Sequence, residues 1–100
     1  MNCLSAMLYT VVILDEAEQE IDDKLEYLAR KCSMQAYYAI KEDMQEILDY
    51  MSYNPFIFSI YEKDITQRKA HLKRHRYKFL FFVEDEFVYI TAFLHDLQDE

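Results

Sequence analysis

The chain has 100 residues, 52% of them hydrophobic and 16% aromatic, with no glycine and a formal charge of −8. That length and composition fit one folded domain of about five elements and exclude a disordered chain. The longest apolar runs fall far short of the ~20 residues of a membrane span, and a chain without glycine has neither a P-loop nor a dinucleotide fingerprint.

The first six residues read as a loose extension of a single domain covering 1–100. No basic-then-apolar leader precedes a small-residue cleavage site, and two cysteines, Cys3 and Cys32, suit a reduced, cytoplasmic setting. Tyr9 to Leu14 is rich in β-branched residues and predicts a strand. Asp15 follows as an N-cap with Glu18 three positions on, the pattern of a capping box. Ala17, Ile21, Leu25 and Leu28 then recur at helical spacing among acidic residues, which predicts an amphipathic helix over 16–31. Ser33 caps a second helix whose stripe is Ala36, Ile40, Met44, Ile47 or Leu48, and Met51, and which ends before Asn54-Pro55. The connection is so short that the two helices form an antiparallel hairpin.

Phe56 to Tyr61 reads either as a strand or as an irregular segment tucking Phe56, Phe58 and Ile60 under the helices. Strands follow near Lys69–Lys73, over Arg76–Glu84 and over Phe87–Leu94, the last two joined by a tight turn at Glu84-Asp85-Glu86. Without glycine, Asn or Asp must supply any turn residue of positive φ. The order β-α-α-β-β-β gives an α+β fold, an antiparallel sheet with a helical hairpin on one face. Strict alternation sends Val88, Ile90, Ala92 and Leu94 to one side, and Phe87, Tyr89, Thr91, Phe93 and His95 to the other. Leu80 and Phe82 likewise alternate with Phe79, Phe81 and Val83. Both faces are therefore apolar or aromatic, and the face without helices calls for a partner.

Charge is unevenly placed. Residues 62–78 carry seven bases against two acids, a balance of +5, while the remainder carries four bases against seventeen acids, a balance of −13. Global acidity repels nucleic acid at long range, so any polyanion would depend on this local tract. Lys69, Lys73, Arg74, Arg76 and Lys78 are candidates for phosphates or an acidic partner. Tyr77 and Tyr89 are candidates for stacking on a base, and alternation groups Tyr89 with Phe93 and His95. As an imidazole His95 suits an acid or a base; it reads most simply as a structural hydrogen-bonding residue, or else as a partner contact. The tract reads equally as a solvated edge strand in which lysine discourages sheet pairing. His71, His75 and Cys32 have no metal-ligand spacing, and no metal or cofactor is expected.

In its order of pieces the sequence resembles the RelE/ParE superfamily of bacterial toxin–antitoxin systems. The pieces are Tyr9–Leu14 with Asp15-Glu16-Ala17-Glu18, the hairpin closing in Tyr53-Asn54-Pro55, and the tract Lys69–Val83. Glu84 to Ile90 and the closing Leu94-His95-Asp96-Leu97-Gln98-Asp99 complete the pattern over residues 8–99. The resemblance implies a cytoplasmic toxin neutralised by a cognate antitoxin covering the open sheet face and the basic tract, in a hetero-oligomer or as a homo-oligomer. Some members cut messenger RNA, typically on the ribosome; others poison DNA gyrase. Lys78 matches a position where many members carry arginine on a sheet strand, and His95 the histidine that closes the last strand. With Arg76 these are the catalytic candidates the resemblance implies. Asp96 follows His95 where members often have a basic or aromatic residue, and no Lys or Arg lies beyond Lys78. Those departures and the overall acidity lean toward a protein target such as gyrase, with an endoribonuclease, or a non-toxic binding or regulatory relative, as alternatives. An unrelated α+β module that dimerises through its aromatic face is a further alternative.

Overall fold

A computed structural model describes residues 8–99; the expected loose extension and Cys3 lie outside them. The elements are β1 (Thr10–Ile13), α1 (Asp15–Lys31), α2 (Met34–Tyr53), β2 (Ser59–Ile60), β3 (Arg68–His71), β4 (Tyr77–Glu84) and β5 (Phe87–His95). Single 3-10 turns follow α2 at Pro55–Ile57 and β5 at Asp96–Asp99. The sheet runs β1-β5-β4-β3-β2. Its pairings are antiparallel except β1 with β5, which is parallel, so the sheet is mixed. The expected α+β arrangement, with a helical hairpin on one sheet face, is what the chain adopts.

Local chemistry accounts for most boundaries. The Ser33 hydroxyl accepts from the N–H of Ala36 at 3.1 Å, the cap expected for α2. Asn54 ends α2, and its side chain accepts from the N–H of Phe56. At the β4–β5 turn Asp85 adopts φ 56°, so an aspartate fills the left-handed position. The entry to α1 differs from expectation: Leu14, not Asp15, is the N-cap, and no side chain caps the helix. The N–H of Leu14 is still bonded to the carbonyl of Ile90 at 3.0 Å, while its own carbonyl already accepts from Glu18. The strand passes straight into the helix and leaves Asp15 in the first turn, where its charge suits the positive end of the dipole.

The core lies between the hairpin and the sheet. Ala17, Ile21, Ile40, Met44, Ile47 and Met51 meet Ala70, Leu72, Phe79, Phe81, Val88, Ile90 and Phe93, all buried. The segment after α2 is only partly tucked in. Phe58 packs edge-on against Phe81 at 5.8 Å, whereas Phe56 and Ile60 are each half exposed.

Strict alternation in β5 fails at one residue. Leu80 pairs with Ala92 and Phe81 with Ile90, so Thr91 is an extra residue opposite that step, a β-bulge. The bulge reverses the parity of everything after it. Val88 and Ile90 face the helices before it, and Phe93 faces them after it. Phe93 is 1% exposed and therefore does not share a face with Tyr89, as alternation predicts. The N–H of Phe93 is satisfied by Glu20 of α1, whose Oε1 lies 2.9 Å away. The Thr91 hydroxyl bonds to the Gln67 amide oxygen and to the carbonyl of Leu80.

Candidate functional site

The basic tract is held by the chain's own carboxylates. Asp43 sits on the apolar stripe of α2, three residues after Ile40 and four before Ile47, and its side chain is fully buried. It cradles the β3–β4 turn. Its Oδ1 accepts from the N–H of Lys73 at 3.1 Å, and its Oδ2 from the N–H of Arg74 at 2.8 Å. The Nδ1 of His75 lies 2.8 Å from the same Oδ2. Burial pushes the Asp43 carboxyl up, but the bonds from His75, Arg74 and Lys73 and the Arg74 charge outweigh it and hold it below its ordinary value.

One helical turn on, Glu46 binds Lys73 Nζ at 2.7 Å and Arg74 Nη2 at 3.2 Å. The Lys73 ammonium also lies 4.8 Å from the centre of the Tyr50 ring. Hydrogen bonds from Lys73 and then Arg74 lower the Glu46 carboxyl, and the bond to Glu46 raises the Lys73 ammonium. Lys69 is paired with Glu62 at 2.7 Å. Arg68 donates to the carbonyl of Phe58 at 2.7 Å and lies over the Phe56 ring. Arg76 is exposed, and its side chain pairs with no described residue.

The catalytic candidates do not converge. Tyr77 pairs with His95, and Phe79 with Phe93, so all four lie on the helix side of the sheet. Lys78 alternates with them and lies on the opposite side, 5% exposed. There it approaches a carboxylate: Asp96 Oδ1 is 3.7 Å from Lys78 Nζ and 3.5 Å from His71 Nδ1. That oxygen is buried and accepts no hydrogen bond from the described residues. Sequence spacing gives His71 and Asp96 no site role; the β3–β4 register, which pairs His71 with Lys78, brings His71 there.

Tyr89 also belongs to the face without helices. It stacks on Phe82 at 5.1 Å, with Val12 in register beside it. Phe82, Phe87 and Tyr89 are half buried, whereas Leu80 and Tyr61 are buried. This face is apolar and partly covered by the chain itself.

Two concavities open on the helix side. One, between β1 and α2, is lined by Tyr9, Val11, Ile13, Leu48 and Asp49. The other lies between α1 and the end of the β4–β5 pair and is lined by Asp23, Lys24, Tyr27, Tyr77 and His95. Tyr77 stacks on Phe93 at 5.0 Å with the planes 7° apart, and meets His95 edge-on at 4.9 Å. The backbone N–H of Leu97 donates to His95 Nδ1 at 3.1 Å, which places the proton of the neutral ring on Nε2. The second concavity exists because the bulge turns His95 toward the helices.

No protein-family model matches the sequence, and no curated protein matches it. In three dimensions the chain is similar to a solved structure described as the chromosomal ParDE TA system from P. aeruginosa. The TM-score is 0.75 at 11% identity, over 88% of this chain and 96% of that one. At that identity the likeness establishes the fold, which is RelE/ParE-like as the order of sequence pieces implies. No described helix is long and apolar enough to cross a membrane.

Proposed function

We propose that this chain is the toxin of a type II toxin–antitoxin pair and arrests growth by acting on a protein target such as DNA gyrase. A cognate antitoxin covers the half-exposed aromatic face around Phe82, Phe87 and Tyr89, together with the edge bearing Arg76. The RelE/ParE-like fold supports the class. The choice of a protein target is carried by one observation, that the sheet separates His95 from Lys78.

Cleavage of RNA at a 2′-hydroxyl needs a base, an acid and cations around one phosphate. Here the candidate acid–base group and the buried candidate cation lie on opposite faces, and Lys69, Lys73 and Arg74 are each paired with a carboxylate. The ribonuclease alternative keeps one point in its favour: His71, Lys78 and Asp96 cluster on the open face.

Expression in a bacterial host tests the class. Growth arrest relieved by co-expressing a neighbouring small DNA-binding gene product is the expected result, and unimpeded growth favours the non-toxic relative. The purified chain and its His95→Ala and Lys78→Ala variants are then compared for RNA cleavage and for inhibition of supercoiling. Inhibition without cleavage is expected of the unaltered chain. Cleavage that both substitutions abolish, with supercoiling untouched, transfers the assignment to the nuclease.

A further inference from the structure

The concavity between α1 and the β4–β5 end has about 410 Å³ of space and lies on the side of the sheet opposite the open face. Sites that take small ligands have this size, with aromatic walls and a few placed polar groups. Its walls are the rings of Tyr27 and Tyr77. Tyr77 is fixed by its stack on Phe93 and by His95 at its edge, whereas Tyr27 is 54% exposed and sits on a helix surface. A fixed ring and a solvent-exposed one lining the same concavity offer stacking surface to a flat molecule.

The polar groups narrow the choice. Asp23 supplies a carboxylate acceptor, partly engaged by Gln19 Nε2 at 2.9 Å, and Lys24 supplies an ammonium donor. A planar cation would meet Lys24 and a planar anion would meet Asp23. A neutral heterocycle with both N–H donors and lone-pair acceptors satisfies the pair together. The phenols of Tyr27 and Tyr77 make no hydrogen bond to any described residue. Burial, followed by the neighbouring Cys32 and Tyr27, raises the Tyr77 hydroxyl above its ordinary value, which keeps it a donor at neutral pH.

We propose that the slot formed by Tyr27, Tyr77, His95, Asp23 and Lys24 binds a purine base. The base stacks on tyrosine, with its N–H edge toward Asp23 and a ring acceptor toward Lys24. The site is independent of the proposed action on a protein target, so either reading can fail without the other.

The test is titration of the full chain with guanosine and adenosine, read by amide NMR shifts at residues 23–27, 77 and 95. Benzamidine, benzoate and tryptophanamide serve as charged or donor-only planar controls. Saturable shifts with a purine nucleoside, and weaker ones with the controls, are expected. Tyr27→Ala should lower affinity about fivefold or more through lost stacking, and Asp23→Asn should lower guanosine affinity about tenfold through the lost charged acceptor. Both residues are exposed and outside the core, so the variants keep the fold, which far-UV dichroism checks. No saturable purine binding overturns the proposal, as does purine affinity indifferent to both substitutions. Equal binding of tryptophanamide would mark an unspecific aromatic slot and overturn it too.

Discussion

The two helices both carry acids, α1 more densely than α2, and use them in opposite ways. On α1, Asp22 and Glu26 are exposed and pair with no described cation, leaving a solvated negative surface. On α2, Asp43 and Glu46 turn inward and grip the β3–β4 turn through its backbone and its cations. One set of charges supplies solubility, and the other fixes a loop. Lys73 and Arg74, two bases of the cluster that dominates the sequence, are thereby paired within the fold.

Removing Asp43 breaks that contrast most severely. Asp43→Ala leaves the N–H groups of Lys73 and Arg74 and the ring of His75 without an acceptor in a buried place. Each such group costs about 1–3 kcal/mol, partly relieved by water, so a loss of roughly 3 kcal/mol is expected in urea denaturation. A loss comparable to a surface substitution would mean the turn is not held this way.

The same latch makes the protein acid-labile. Asp43 and Glu46 of the latch have carboxyls held below their ordinary values, as does Asp64 in the β2–β3 connection, which accepts from Thr66 and Gln67. Depressed carboxyls stabilise the fold above their unfolded pKa, and that stability is lost as pH falls through the lower, folded values. Stability should therefore hold down to about pH 4 and decline below it, and Asp43→Asn should flatten the decline. Lys73, raised by Glu46, acts at the other end, its contribution lost only as the pH passes its elevated value.

Glu20 is the acid of α1 that behaves like those of α2, and it shows where the sequence stops being legible. The helices, their hairpin, the Ser33 cap and the Asp85 turn follow from spacing and residue chemistry. Asp43, a carboxylate on an otherwise apolar stripe, carries a sign of a buried partner that reading the stripe alone passes over. The bulge at Thr91 was not, because period-two reading assigns every residue a face and one inserted residue leaves no mark in composition. That hidden residue moved Phe93 into the core and His95 to the helix side, and so took apart the expected site. Glu20 compensates by accepting the Phe93 N–H. Glu20→Ala should cost about 1–2 kcal/mol, while Glu20→Gln retains an acceptor and costs less. Equal losses in the two variants would show that the bond to Phe93 contributes nothing.

The smallest effects come from surface charge and separate the helices most clearly. Glu46→Gln keeps the side-chain volume but releases Lys73 and Arg74 from their shared carboxylate, beside the already exposed Arg76. Affinity for heparin at low salt should rise by a few fold and fall back as salt increases, because freed cations act through counterion release. Glu26→Gln on α1 removes the same charge from a side chain that makes no ion pair with a described residue. It should leave the denaturation midpoint unmoved and change heparin affinity only through the net charge, by less than Glu46→Gln. Equal gains from the two substitutions would mean that total charge governs polyanion binding, and that the pairing of α2 with the basic turn has no part in it.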